Sequence, residues 1–284
     1  NNVVFADVCN HVLFKGQPKV DPNKLRDIDP GQRTFLTTLD GKRVAIESFR
    51  DVAKQAIVAK EDGERGYVVI GIENQSQMDY SMPVRVMFYD SLHYVNQVKR
   101  FAKTRRRKQP PGNKANNSVE FISGLKKTDK LIPVITIVVY FGTKKWSAPL
   151  SLHETFAEEY KDILPFVQDY RITLLELAQI PDEEAGKLTS DLGIAALFIK
   201  NSDNVKKLIE LTESDSRFTH VAGETTDMLL AVTGLEIPFE KNTEEKEGNI
   251  NMCKALKDFK AEVRAEGKAE GIAKGKAEGV IETI

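Results

Sequence analysis

Val4, Phe5, Val8, Val12 and Leu13 recur at helical spacing between Val3 and Phe14. Asn2 is placed to cap that run and Lys15-Gly16-Gln17-Pro18 to stop it, so the pattern predicts a first helix. From Lys24 to Ala59 the period shortens. Val44, Ile46, Phe49, Val52, Ile57 and Val58 are interspersed with charges around the turn Asp40-Gly41, which predicts a hairpin followed by a longer strand. Periodicity alone also admits helix around Val52-Ala-Lys-Gln-Ala. Beyond Asp62-Gly63, the run Tyr67-Val-Val-Ile-Gly-Ile-Glu-Asn-Gln75 is β-branched, short and well bounded, and reads as a strand. Val84, Phe88, Leu92, Val95 and Val98 then mark an amphipathic helix from Tyr80 to Lys108, with Ser81 and Pro83 suited to its start. A polar loop, Gln109 to Ser118, leads on to Leu131-Ile-Pro-Val-Ile-Thr-Ile-Val-Val-Tyr140, a near-continuous apolar run typical of a strand buried on both faces.

A helix lying between two apolar strands implies a right-handed crossover that pairs those strands in parallel. The segment from Ser151 to Ile237 reads as helical, through Leu174-Leu-Glu-Leu, Leu192 to Ile199, Val205 to Leu211 and Thr226 to Val232. Glu240 to Glu247 forms a charged linker. The tail, Asn251 to Ile284, repeats Gly-Lys-Ala-Glu-Gly at 267–271 and 275–279 and reads as a solvated helix or oligomerisation arm. The expected architecture is α/β with a helical appendage.

Composition narrows the class. The chain has 284 residues, 41% hydrophobic and 29% charged, with a formal net charge of −1. That excludes collagen-like, disulfide-scaffold and wholly disordered proteins. Cys9 and Cys253 lie at opposite ends and read as reduced thiols, and four histidines without a CxxC pair make a zinc site a poor expectation. No run of 18 apolar residues is present, and no charged-then-apolar leader opens the sequence, so the cytoplasm is the expected compartment and no membrane partner is expected.

Candidate chemistry gathers around one strand. Glu73 and Gln75 are two apart, hence on the same face and about 7 Å from each other, while Gly71 leaves that face open. Asp51 lies at the end of the preceding strand. If the two strands pair in antiparallel fashion, a carboxylate from each converges, which is what Mg²⁺ requires of a protein site. The same residues also fit a plainer reading, in which Asp51 is a turn carboxylate near Arg50 and Glu73 marks where the strand surfaces. Lys54, at odd separation from Asp51, faces the other way in a regular strand. Asp7 and His11 share a face of the first helix. Taken by themselves, Asp7 reads as a capping or solvent-facing acid near the helix start and His11 as a surface or packing residue. Arg85 and Tyr89, four apart, suit either phosphate gripping or tying their helix to the sheet. The strongest electrostatic feature is Lys99, Arg100, Lys103, Arg105, Arg106, Arg107 and Lys108, seven cations in ten residues. In a near-neutral chain they make a local field suited to a phosphate backbone, and without interleaved aromatics they point to sequence-tolerant duplex DNA.

Asp51, Gly71-Ile-Glu-Asn-Gln75, Met82-Pro-Val-Arg85 with Tyr89-Asp90, Leu131-Ile-Pro-Val-Ile-Thr, Tyr140-Phe-Gly and Ser151-Leu-His-Glu together resemble the recombination-promoting nuclease (Rpn-like) family, also labelled PD-(D/E)XK nuclease family transposases. The resemblance covers roughly residues 3 to 160, and it implies a restriction-endonuclease-like αβββαβ core at 1–160. A mostly helical extension at 161–240 and the charged linker and repeat tail at 241–284 would follow. It also implies that Asp51 and Glu73 bind Mg²⁺, or Mn²⁺, with Asp7 of the first helix a secondary candidate through water, and that Gln75 stands where the motif has Lys. Gln positions a water or phosphate oxygen but cannot compensate charge. The implied activity is a metal-dependent DNA endonuclease linked to recombination or mobile elements. Its rivals are a catalytically weakened DNA-binding or regulatory module on the same fold, and an assembly protein that forms homo-oligomers through its C-terminal part.

Overall fold

The computed structural model describes residues 1–28, 31–37, 43–49, 51–59, 65–108, 124–237, 248–261 and 264–265. The expected turn at Asp40-Gly41, the linker and the Gly-Lys-Ala-Glu repeats lie outside the described residues. The chain divides into two compact units, one of residues 1–141 and 146–176, the other of 142–145 and 177–284.

The first unit opens with helix α1 (Asn2–Phe14), whose cap is Asn1, accepting from the Val3 N–H. Lys15 and Gly16 both take positive φ and end it. Strands β1 (Arg26–Asp27), β2 (Gly31–Thr37), β3 (Arg43–Phe49), β4 (Val52–Ala59) and β5 (Arg65–Gln75) follow, then helix α2 (Met82–Lys108) and strands β6 (Val134–Tyr140) and β7 (Thr173–Glu176). The hairpin β2–β3 forms, but as a separate two-stranded sheet. The main sheet has the order β1-β4-β5-β6-β7. Within it β4 runs antiparallel to β5, and β5, β6 and β7 are mutually parallel, as the helix between two apolar strands implies.

Two corrections concern the end of this unit. The run at Leu174 is not helix; Leu174 and Leu175 lie in β7, where they pair with Val138 and Val139 of β6. β7 completes the sheet, and the compact unit that contains it runs to Glu176. The stretch before β7 carries short 3₁₀ turns at His153–Thr155, Glu158–Tyr160 and Leu164–Phe166 in place of longer helices.

Strand alternation sorts β5 into two faces. Val68, Ile70 and Ile72 point one way together with Lys54, the partner of Ile70, and there the Lys54 ammonium lies 5.8 Å from the centre of the Phe5 ring of α1. Val69, Gly71 and Glu73 face α2, which runs antiparallel to β5 and β6. Its first turns pack Met82 and Val86 against Val138, Tyr140 and Trp146. Asp90 then accepts from the Thr136 hydroxyl at 2.6 Å and from the Tyr170 hydroxyl. Further along, the Tyr94 hydroxyl accepts from the Val134 N–H, and the Gln97 amide forms two bonds with the Ile132 backbone. Asp90, Tyr94 and Gln97 thereby tie α2 to β6 and to the segments just before β6 and β7.

The second unit contains α3 (Asp182–Lys187), α4 (Asp191–Lys200), α5 (Val205–Ser214), α6 (Gly223–Thr233), a short pairing of Val221–Ala222 with Asn249–Ile250, and a helix over 252–261. Leu192 to Ile199 of α4 are buried throughout, as a helix apolar all round must be. Among the described residues no helix is long and apolar enough to cross a membrane.

Candidate active site

The ladder between β4 and β5 ends at the pair Val52–Ile72. Asp51, immediately before it, therefore lies opposite Glu73. There the Asp51 carboxylate accepts the N–H of Asn74 at 2.7 Å, closing the end of the ladder with a side chain. The antiparallel pairing on which convergence of the two acids depends is present. Asp51 is exposed and Glu73 is 1% exposed, so one donor faces solvent and its neighbour lies under cover. Gln75, half-buried, follows Glu73 on the same face and pairs with Tyr140.

A carboxylate buried like that of Glu73 is costly unless positive charge stands beside it. Arg85, in the first turn of α2, supplies it. One terminal nitrogen lies 3.2 Å from Glu73 Oε2, and the other donates to Asp79 Oδ2 at 2.6 Å. The guanidinium also sits 6.0 Å from the centre of the Tyr89 ring and 3.5 Å from its hydroxyl. Burial opposes the charge of Arg85. The hydrogen bonds with Asp79 and Tyr89 and the nearby charge of Glu73 outweigh it, so its pKa is raised above the ordinary value. Asp79 is held in turn by the Ser81 N–H at 2.8 Å and the Ser81 hydroxyl at 2.6 Å. Burial raises the Asp79 carboxyl pKa, but these bonds and Arg85 lower it further, for a net depression. Asp79 is a site-forming residue that lies outside the strands and carries no metal-binding motif. Its signal is an Asp two residues before a Ser at the mouth of an apolar helical run, a capping pattern.

The other candidates fall elsewhere. Lys54 is buried on the opposite face and paired with the Asp27 carboxylate, whose pKa it lowers. Asp7 and His11 are half-buried on α1, whose Phe5 lies on that same Lys54 face. Neither Asp7 nor Lys54 joins Asp51 and Glu73. Of the basic cluster, Lys99, Arg100 and Lys103 are exposed, whereas Arg105 is engaged with the Asp129 carboxylate and the Gly124 carbonyl. The side chains of Arg106, Arg107 and Lys108 lie outside the described residues. Because α2 runs antiparallel to β5, the cluster sits at the end of the sheet away from Glu73. From Arg85 to Lys103 is about 27 Å along the helix axis, at 1.5 Å per residue. At 3.6 residues per turn that interval is also about five turns, so the two side chains leave the same flank of α2.

The donor set is of hard oxygen type. Mg²⁺ takes one or two carboxylates and keeps waters, so Asp51 and Glu73 fit it in number and kind. The site also holds more negative than positive charge, with Asp51, Glu73 and Asp79 set against Arg85. Among the described residues no group of three or more His, Cys, Asp or Glu gathers as a metal cluster.

No curated protein and no solved structure matches the chain. A family model described as "Putative transposase, YhgA-like" matches residues 51–219, opening at the exposed Asp51 and taking in β4, β5, α2, β6 and β7. That span is more than half of the sequence, and it agrees with the kinship inferred from the Asp51, Glu73 and Gln75 motifs: the chain belongs to the family described as "Putative transposase, YhgA-like".

Proposed function

We propose that the protein is a metal-dependent DNA endonuclease with a restriction-endonuclease-like core, acting in recombination or the movement of mobile elements. The observation that carries this reading is the placement of Asp51 opposite Glu73 at the end of the β4–β5 ladder, on the face covered by the start of α2. Family membership supports a role on DNA.

In this reading Asp51 and Glu73 hold Mg²⁺, or Mn²⁺ in its place. The ion would supply a water of lowered pKa and a charge to balance the phosphoryl oxygen. Gln75, two residues beyond Glu73, presents an amide that orients a water or a phosphate oxygen. Lys99, Arg100 and Lys103 draw in the duplex through its backbone, without reading bases. A duplex lying along the flank of α2 from Lys103 to Arg85 spans about eight base pairs at 3.4 Å each. With about four phosphates neutralised, binding falls with salt at a log–log slope near −3.6.

Gln75 in the place of Lys favours a second reading, a DNA-binding module with weakened turnover. Nicking of supercoiled plasmid in Mg²⁺ or Mn²⁺ separates the two. The nuclease reading requires cleavage that Asp51→Ala and Glu73→Ala each abolish while duplex binding persists. Intact plasmid under all conditions, with binding retained, establishes the second reading.

A further inference from the structure

We propose that Arg85, tethered by Asp79, is the resident cation of the site: it balances Glu73 while the carboxylates hold no ion, and it grips a phosphodiester oxygen of bound DNA when they do. The proposal rests on the nuclease reading above and adds to it the positive charge that Gln75 cannot provide.

Four observations lead here. Arg85 is on the same sheet face as Glu73, while Lys54, the nearest lysine among the described residues of the neighbouring strand, is on the other face and paired to Asp27. Asp79 holds the guanidinium by one terminal nitrogen at 2.6 Å, and Glu73 takes the other at the longer distance of 3.2 Å. The short bond is thus to the tether and the long one to the proposed metal ligand, so Arg85 can leave Glu73 without leaving the site. A guanidinium has five N–H donors, and the contacts with Asp79, Glu73 and Tyr89 engage three of them, one on the first terminal nitrogen and two on the second. When Glu73 engages an ion, the N–H it releases is free for a phosphate oxygen beside the donor still open on the first terminal nitrogen. Finally, the Arg85 side chain is 36% exposed and that of Glu73 only 1%. The guanidinium is therefore the solvent-facing partner, and an ion that engages Glu73 competes with it.

This competition gives Arg85 opposite effects on two ligands. A positive charge beside the carboxylates repels a divalent ion, yet attracts DNA phosphate. Loss of folding cannot produce that pattern, because it weakens both.

The test uses the full chain and two probes, Mn²⁺ alone, followed by calorimetry, and a 20-base-pair duplex in Ca²⁺, followed by fluorescence anisotropy. Arg85→Gln is expected to bind Mn²⁺ about tenfold more tightly, as removal of a neighbouring like charge predicts. It is expected to bind the duplex about tenfold more weakly, the loss of one charge-assisted phosphate contact. Arg85→Lys keeps the charge and loses the fork, so its Mn²⁺ affinity stays near the wild type while duplex affinity drops part of the way. Unchanged or weaker Mn²⁺ binding by Arg85→Gln overturns the proposal, as does unchanged duplex binding. Failure of the underlying metal reading looks different. There, Glu73→Gln binds Mn²⁺ as the wild type does, or the wild type binds none.

Discussion

Asp90 offers the sharpest test of how α2 is held over the site. It is 3% exposed, and its two oxygens accept from the hydroxyls of Thr136 on β6 and of Tyr170 just before β7. Thr136 is itself 3% exposed, so truncation of Asp90 leaves a buried hydroxyl without this acceptor. Two hydrogen bonds to a carboxylate, with that desolvation added, set the cost of Asp90→Ala at about 3–5 kcal/mol. Thr136→Val removes one donor and keeps the shape, for about 1–2 kcal/mol. Because the two share a bond, the double variant is expected to lose about 1–2 kcal/mol less than the sum. Trp146 is the single tryptophan and packs in the cluster with Met82 and Val86, so its fluorescence reports on this unit during urea unfolding. A loss below about 1 kcal/mol for Asp90→Ala, or strict additivity in the cycle, would refute the account.

Asp51→Asn retains an acceptor for the Asn74 N–H and is expected to melt within about 0.5 kcal/mol of the wild type, whereas Asp51→Ala loses about 1 kcal/mol with that bond. Both are expected to abolish plasmid nicking, which separates charge from cap. The Asp79 carboxyl titrates below its ordinary 3.8, so its contribution is complete above that value and is lost as pH falls through the lower, folded one. Urea unfolding as a function of pH should show the advantage of wild type over Asp79→Asn shrinking only on the acid side of 3.8. At Gly193 a Cβ would lie 2.3 Å from the Ala185 carbonyl, a backbone atom that cannot swing away. Gly193→Ala is therefore expected to cost about 1–3 kcal/mol in thermal unfolding followed by circular dichroism. Duplexes shorter than about eight base pairs cannot reach from Lys103 to Arg85. A duplex-length series should show affinity rising steeply near that length and levelling beyond it; a smooth dependence would contradict the placement along α2.

The elements that carry the site were legible because their signals are local. The β-branched run to Gln75, the apolar stripe of α2 and the unbroken apolar run of β6 each fix their own class, and a helix between two such strands fixes their parallel pairing. The side to which Lys54 points also followed from period two alone. What escaped depends on distant partners. Leu174-Leu-Glu-Leu suits helix or strand equally, and only the open edge of β6 decides for β7. That the β2–β3 hairpin stands apart from the main sheet is likewise a matter of non-local pairing. Arg105 reads as one cation among seven until Asp129, 24 residues on, claims it. Arg85 had two admissible roles in the sequence, and the structure joins them: it ties α2 to the sheet, and does so through the acid most central to the proposed chemistry.

Under the proposed roles, this double duty would make a neutral Gln75 compatible with the nuclease reading. A lysine on the strand beside Glu73 would bring its charge from the sheet, two residues along. Here the charge arrives from the helix packed above, on a side chain whose orientation is set by Asp79 and Ser81. The position of that charge then depends on where α2 lies, and α2 is fixed at Asp90, Tyr94 and Gln97 along β6 and the segment before it. The same seam fixes the far end of the helix, where Lys99 and Lys103 are exposed. A shift of α2 by one residue would turn Arg85 by about 100° away from Glu73 and Lys103 away from the same flank. Buried hydrogen bonds that look purely structural thus set the register between the acid on the strand and both ends of the proposed DNA track.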